Sequence, residues 1–255
     1  MNNQRGAPTT PVGQSLGKVR LERLLVEMVP LPGQPASSIY LRPGDYPGFL
    51  EAQGPEGRRW LDRLEPLDKG VLRSDTGIVG LRSGDQGLVV VPPFPLTASG
   101  LSEDWDPAGL RAILNNDYTV GVVLLRLGRF SVAVYRGGRL LSSKTDARYV
   151  KSRHSAGGTS QLRFQRVREG QIRRLYDKTC EAVGKQFGDF QGELDYLLLG
   201  GEQLTLNGFR KVCPYLERYR DITLARRLNV RDPKRDTLDR LPDVLWESRV
   251  YRMQW

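Results

Sequence analysis

The chain has 255 residues, with 39 lysines and arginines against 29 acids, a net charge of +10. That length gives room for one large domain or two small ones with a proper core, and the basic excess points to a polyanionic partner, nucleic acid ahead of membrane. No apolar run reaches transmembrane length, and the opening MNNQRGAPTTPVGQ has no apolar stretch of leader type, so a cytoplasmic protein is expected, with no membrane partner and as a monomer.

Taken in chain order, residues 1–14 are polar and rich in Pro, Thr and Gly, the composition of a disordered tail. Lys18–Val29 (KVRLERLLVEMV) fits a helix or a strand, and periodicity does not decide between them. PEGRRWLDRLEPL reads as a short helix closed by Pro66. TGIVGLRSGDQGLVVVPPF reads as a hairpin, two β-branched runs around a Ser-Gly-Asp-Gln-Gly turn. Residues 91–108 (VPPFPLTASGLSEDWDPA) are rich in Pro, Ser and acid and form the candidate linker.

A short helix around Leu110–Leu114 is followed by TVGVVLLRLG, an almost continuously apolar strand suited to burial on both faces. RFSVAVYR and RLLSSKT follow after minimal turns, so the three strands predict an antiparallel meander. Ser160 to about Phe187 predicts a long helix, with Ile172, Leu175, Tyr176, Cys180, Val183 and Phe187 along one stripe. LDYLLLGG is a buried strand, LTLNGFRKVCPYL a helix, DITLARRLNV a strand, and RDTLDRLPDVLWESRVYRM a closing helix with a kink at Pro242. The order β-β-β-α-β-α-β-α predicts an α/β mixed sheet of ribonuclease H-like architecture with helices on both faces. Cys180 and Cys213 each fall in apolar helical patterns and read as reduced core residues.

A ribonuclease H-like fold raises the question of two-metal nuclease chemistry, which needs carboxylates clustered from the first central strand onward. TVGVVLLRL contains none, and Asp146 and Asp195 stand alone as solvated or capping residues. Nucleophile elbows, phosphate-binding glycine loops and metal-ligand spacings are missing, so neither a metal nor another cofactor is expected. His154 is the only imidazole, and it reads as a loop residue near phosphate.

The informative stretch is RHSAGGTSQLRF, Arg153–Phe164, which leads into the long helix. Ten basic residues and three acids lie between Lys144 and Lys178, so much of the excess charge surrounds the glycines. Gly157 and Gly158 allow the backbone to approach a ligand closely, and Thr159 or Ser160 can cap a helix whose N-terminus favours negative charge. From spacing alone the segment reads equally as an ordinary glycine turn before a solvated helix face.

GGTSQLRFQRVREGQIRRLYDK resembles the stretch of eukaryotic and archaeal class 1 peptide release factors in which a Gly-Gly-Gln tip enters a helix beginning Ser-Ala-Leu-Arg-Phe. YLLLGGEQLTLNGFRK is similar to the strand and glycine turn that follow that helix in release factors and their Pelota-like relatives, and the likeness covers roughly residues 118–255. With Leu-Arg-Phe aligned, Thr159 takes the place of the release-factor glutamine and Gln161 lies two residues later. In this the segment resembles the Vms-type branch, release-factor-like peptidyl-tRNA hydrolases of ribosome-associated quality control. The first hundred residues show no such likeness, and residues 15–100 read as a smaller α+β region of unknown role; the resemblance implies a release-factor-like catalytic domain over 101–255. Its catalytic tip would be Gly157, Gly158, Thr159, Ser160 and Gln161, and RNA contacts would come from Arg148, Lys151, Arg153, His154, Arg163, Arg166, Arg173 and Arg174. The partners it implies are ribosomal RNA of the large subunit and peptidyl-tRNA. The rival readings are a non-catalytic Pelota-like rescue or RNA-binding module and a metal-dependent nuclease.

Overall fold

The apolar run after Thr119 and the two β-branched runs behind it have only two-residue connections, so they must pair with their neighbours, and they do. The computed structural model describes residues 11–150 and 160–255, with 160–162 described by backbone alone. Its elements begin with β1 (Gln14–Leu16), α1 (Lys18–Glu27), β2 (Ala36–Leu41), α2 (Gly48–Glu51), α3 (Gly54–Leu64), α4 (Lys69–Leu72), β3 (Ile78–Ser83), β4 (Gln86–Val91), β5 (Gly100–Ser102) and α5 (Ala108–Asn115). They continue with β6 (Thr119–Arg126), β7 (Arg129–Arg136), β8 (Arg139–Ala147), α6 (Ser160–Gly188), β9 (Tyr196–Gly201), α7 (Gln203–Arg210), α8 (Pro214–Glu217), β10 (Thr223–Leu228), α9 (Arg235–Leu245) and β11 (Ser248–Gln254). Contacts divide the chain into two units, residues 117–244 and residues 1–116 with 245–255.

In the unit 117–244 the sheet order is β10-β9-β6-β7-β8. The β6–β7–β8 meander is antiparallel, β9 runs parallel to β6, and β10 runs parallel to β9. That is the mixed, ribonuclease H-like arrangement expected from the sequence. Gly137 and Gly138, at φ +54° and +85°, supply the two left-handed residues that a type I′ turn requires between β7 and β8. Period-two alternation then assigns the faces. Phe130, Val132 and Val134 of β7 join Val123 and Leu125 of β6 under α6. On the opposite face of β7, the Tyr135 hydroxyl donates to the Leu238 carbonyl of α9 (2.9 Å), and the Ser131 hydroxyl donates to the Pro233 carbonyl (2.8 Å).

The cysteines correct one expectation. Cys180 of α6 and Cys213, just before α8, are joined in a disulfide rather than held as separate thiols. Their apolar patterns placed each in the core, but no pattern in the sequence shows that the two surfaces converge to a Cα–Cα distance of 5.3 Å.

In the other unit the sheet order is β1-β11-β4-β3-β2-β5. The expected β3–β4 hairpin forms, and Lys18–Glu27 is the helix of the two possibilities. Residues 91–108 are not a linker. Pro92, Pro93 and Phe94 are buried, β5 pairs with β2, and the Ser38 hydroxyl bridges the Asp104 carbonyl and the Asp106 N–H. The closing helix stops at Leu245, and SRVYRMQ becomes β11, antiparallel to β4. The division therefore falls after Asn116 rather than after residue 100, and Leu245–Trp255 returns to the first unit. Residues 1–10, most of the expected tail, lie outside the described residues, and Gln14 already belongs to a strand.

Candidate functional site

The 29-residue helix α6 spans about 43 Å at 1.5 Å per residue. Its second half is anchored: Leu175, Tyr176, Cys180, Ala182, Val183 and Phe187 are buried in one core with the inner residues of β6 and β7. Burial there holds the Tyr176 phenol above its ordinary pKa, with Arg168 pulling the other way. The opening turns carry no buried residue among those described. Arg163, Phe164, Gln165, Arg166, Val167, Glu169 and Gly170 are exposed, including the apolar Phe164 (43 %) and Val167 (45 %). The apolar stripe begins only at Ile172, which leaves the preceding turns projecting from the core they are fixed to.

Ser160 and Gln161 occupy the first turn of this projection, with side chains outside the description. Lys151, Arg153, His154, Gly157, Gly158 and Thr159 lie outside the described residues. The remaining expected RNA-binding residues are spread along α6 and the end of β8. Arg163 and Arg166 are exposed on the projecting turns. Arg173 is paired with Asp177 at 3.0 Å, and Arg148 with Asp146 at 3.3 Å. Arg174 is exposed and has no acidic partner within salt-bridge distance among the described residues. The structure thus separates two roles that the sequence could not: Arg173 neutralises an acid on its own helix, whereas its neighbour does not.

Arg148, Tyr149, Gln171, Arg174, Asp177 and Lys178 line an open groove of about 490 Å³ beside α6. Tyr149 was missed by sequence reasoning, because a single aromatic just past the end of a strand carries no periodic signal.

Charge is distributed unevenly. Residues 117–244 hold 25 of the 39 lysines and arginines and 15 of the 29 acids, which is the whole net charge of +10; the other unit is balanced. The two acids considered for metal chemistry are already engaged. Asp195 accepts the Thr119 N–H at the start of β6 (2.7 Å) and returns its own N–H to the Thr119 carbonyl (2.9 Å). Asp146 accepts the Ala147 N–H and pairs with Arg148. Among the described residues no group of three His, Cys, Asp or Glu side chains could hold a metal ion, and no helix is long and apolar enough to cross a membrane.

Comparison with known proteins agrees with the region that carries this helix. The chain is 26 % identical over 140 residues to peptide chain release factor subunit 1 of Archaeoglobus fulgidus, a match covering 52 % of this chain and 34 % of that protein. It is 33 % identical over 100 residues to peptide chain release factor subunit 1 of Methanosphaera stadtmanae, covering 39 % of this chain and 24 % of that protein. The matches thus span about a third or less of the length of these curated relatives. Among solved structures, the archaeal translation termination factor aRF1 aligns at TM-score 0.36 and 18 % identity, covering 84 % of this chain and 66 % of that one. Archaeoglobus fulgidus Pelota aligns at TM-score 0.31 and 9 % identity, covering 94 % of this chain and 65 % of that one. The family model of the Actinobacteria/chloroflexi VLRF1 release factor matches residues 118–251, more than half of the chain, and the protein belongs to that release-factor family.

Proposed function

We propose that this protein hydrolyses the ester between a nascent peptide and its tRNA on stalled large ribosomal subunits, in ribosome-associated quality control or rescue, as a cytoplasmic monomer. The observation that carries the reading is the projection of α6, whose first turns bear Ser-Gln-Leu-Arg-Phe within the region matched by the release-factor family model. A helix fixed at one end and bare at the other is suited to carrying a tip into a site walled by another molecule.

The chemistry assigned to the tip follows from the residue types. A glutamine amide has no useful pKa, so Gln161 would orient water and exclude unproductive geometries rather than act as a base. Gly157 and Gly158 would let backbone N–H groups reach the developing oxyanion, with Thr159 and Ser160 beside them. RNA would supply the remaining walls, and the charge of residues 117–244 would neutralise its phosphates.

The test is single-turnover release from peptidyl-tRNA bound to large subunits, with and without a chelator. Release insensitive to chelator supports the hydrolase. Binding without release would leave the non-catalytic Pelota-like reading standing, and release abolished by chelator would return the metal-dependent one.

A further inference from the structure

The groove beside α6 carries an inference of its own, which rests on the ribosomal reading above. Tyr149 is 77 % exposed, yet its backbone is fixed on both sides. The Arg148 N–H donates to the Gly128 carbonyl at the β6–β7 turn (2.8 Å), and the Val150 side chain packs against the core under α6. Val150 beside it is partly buried, while the Tyr149 ring stays in the open. An aromatic held in the open by two anchored neighbours loses no core packing to solvent exposure, and it needs a flat partner to be more than a solvent-facing ring.

The surrounding charges define that partner. Arg148, Arg174 and Lys178 line the same groove, and its one acid, Asp177, is already neutralised by Arg173. Arg148 and Lys178 share their charge with Asp146 and Glu181, whereas Arg174 has no acidic partner among the described residues. An exposed ring beside a cationic wall is the combination that binds an unpaired base by stacking and its phosphate by charge. We infer that this groove takes an unpaired nucleotide of ribosomal RNA, with its base on Tyr149 and its phosphate at Arg174.

Distance separates this contact from the reacting end. From Gln161 to Arg174 the helix advances about 20 Å. A nucleotide held at Tyr149 is therefore a contact apart from the ester, and comparing vacant subunits with free peptidyl-tRNA reads its source.

The experiment measures equilibrium binding of the full chain to vacant large ribosomal subunits, and separately to free peptidyl-tRNA. Tyr149→Ala should weaken subunit binding by about 5- to 150-fold, the range set by loss of one base–aromatic stack, while Tyr149→Phe keeps it. Arg174→Gln should weaken subunit binding and lower the log–log salt slope by about 0.7–0.9. Tyr149→Ala should leave binding to free peptidyl-tRNA unchanged. Wild-type affinity of Tyr149→Ala for vacant subunits, or an equal loss on free peptidyl-tRNA, overturns the inference. Because no hydrolysis is measured, a failure of the proposed reaction would show in the release assay and not here.

Discussion

Replacing Gly201 by alanine tests whether the second sheet is built as described, and its cost can be worked from two features. Gly201 ends β9 at φ +136°, a region that L side chains rarely adopt, and holding alanine there costs about 1–3 kcal/mol. An added Cβ would also overlap the Leu125 carbonyl oxygen of β6, the strand with which Gly201 is in register. No side chain can rotate away to relieve that overlap; the paired strands themselves must separate. The sum is expected to exceed about 3 kcal/mol, which for a unit of this size lowers Tm by about 10 °C or more. Gly170→Ala is the counterpart. It lies inside α6 with nothing within 4 Å of an added Cβ, so it should not lower Tm and should firm the helix by about 0.5–1 kcal/mol. Differential scanning calorimetry of both variants provides the reading. A Gly201→Ala transition within about 2 °C of wild type would refute the β6–β9 register.

Gln161→Ala should slow release from peptidyl-tRNA by about 10²–10³-fold with subunit affinity kept, the scale for losing one preorganised polar group. Its stability cost should stay within about 0.5 kcal/mol, and Thr159→Ala should slow release less; the reverse order would assign the working residue to Thr159. Arg166→Glu on the projecting turns should weaken large-subunit binding and flatten its salt dependence, and unchanged affinity across a salt titration would remove Arg166 from the interface. Burial pushes the Tyr40 and Tyr196 phenols up to about 12, so between pH 10 and about 12 the folded chain holds protons that an unfolded one would release. That contribution is complete below pH 10 and lost as the pH rises through 12. Absorbance at the tyrosinate band should therefore show a late-titrating set that coincides with loss of ellipticity, and one transition near 10 with the fold intact would contradict it.

Much of the second unit was legible because its signals are local. β6 is apolar on both faces, Gly137-Gly138 admits one kind of turn, and the stripe from Ile172 to Phe187 has helical spacing. What failed depended on distant partners. SRVYRMQ follows a helix and contains good helix formers, yet it is a strand paired with β4 on one side and β1 on the other. Residues 91–108 look like a linker by composition, yet Ser38, sixty-six residues earlier than Asp104, binds their backbone. The disulfide is the same lesson in covalent form, since Cys180 and Cys213 are 33 residues apart. At the site, the charge around α6 was countable in advance, but which arginine is neutralised was not. Asp177 is the i+4 neighbour of Arg173 and the i+3 neighbour of Arg174, and sequence spacing permits either pairing.

The return of β11 to the first sheet has a consequence for synthesis. β11 lies between β1 and β4, and it follows all 128 residues of the intervening unit in the chain. Strands β2 to β5 can pair as soon as they are made, but among the described residues β1 pairs only with β11. The ribonuclease H-like unit therefore has all of its strands before the sheet that precedes it does. Until β11 is made, β4 presents an edge open to pairing with other strands.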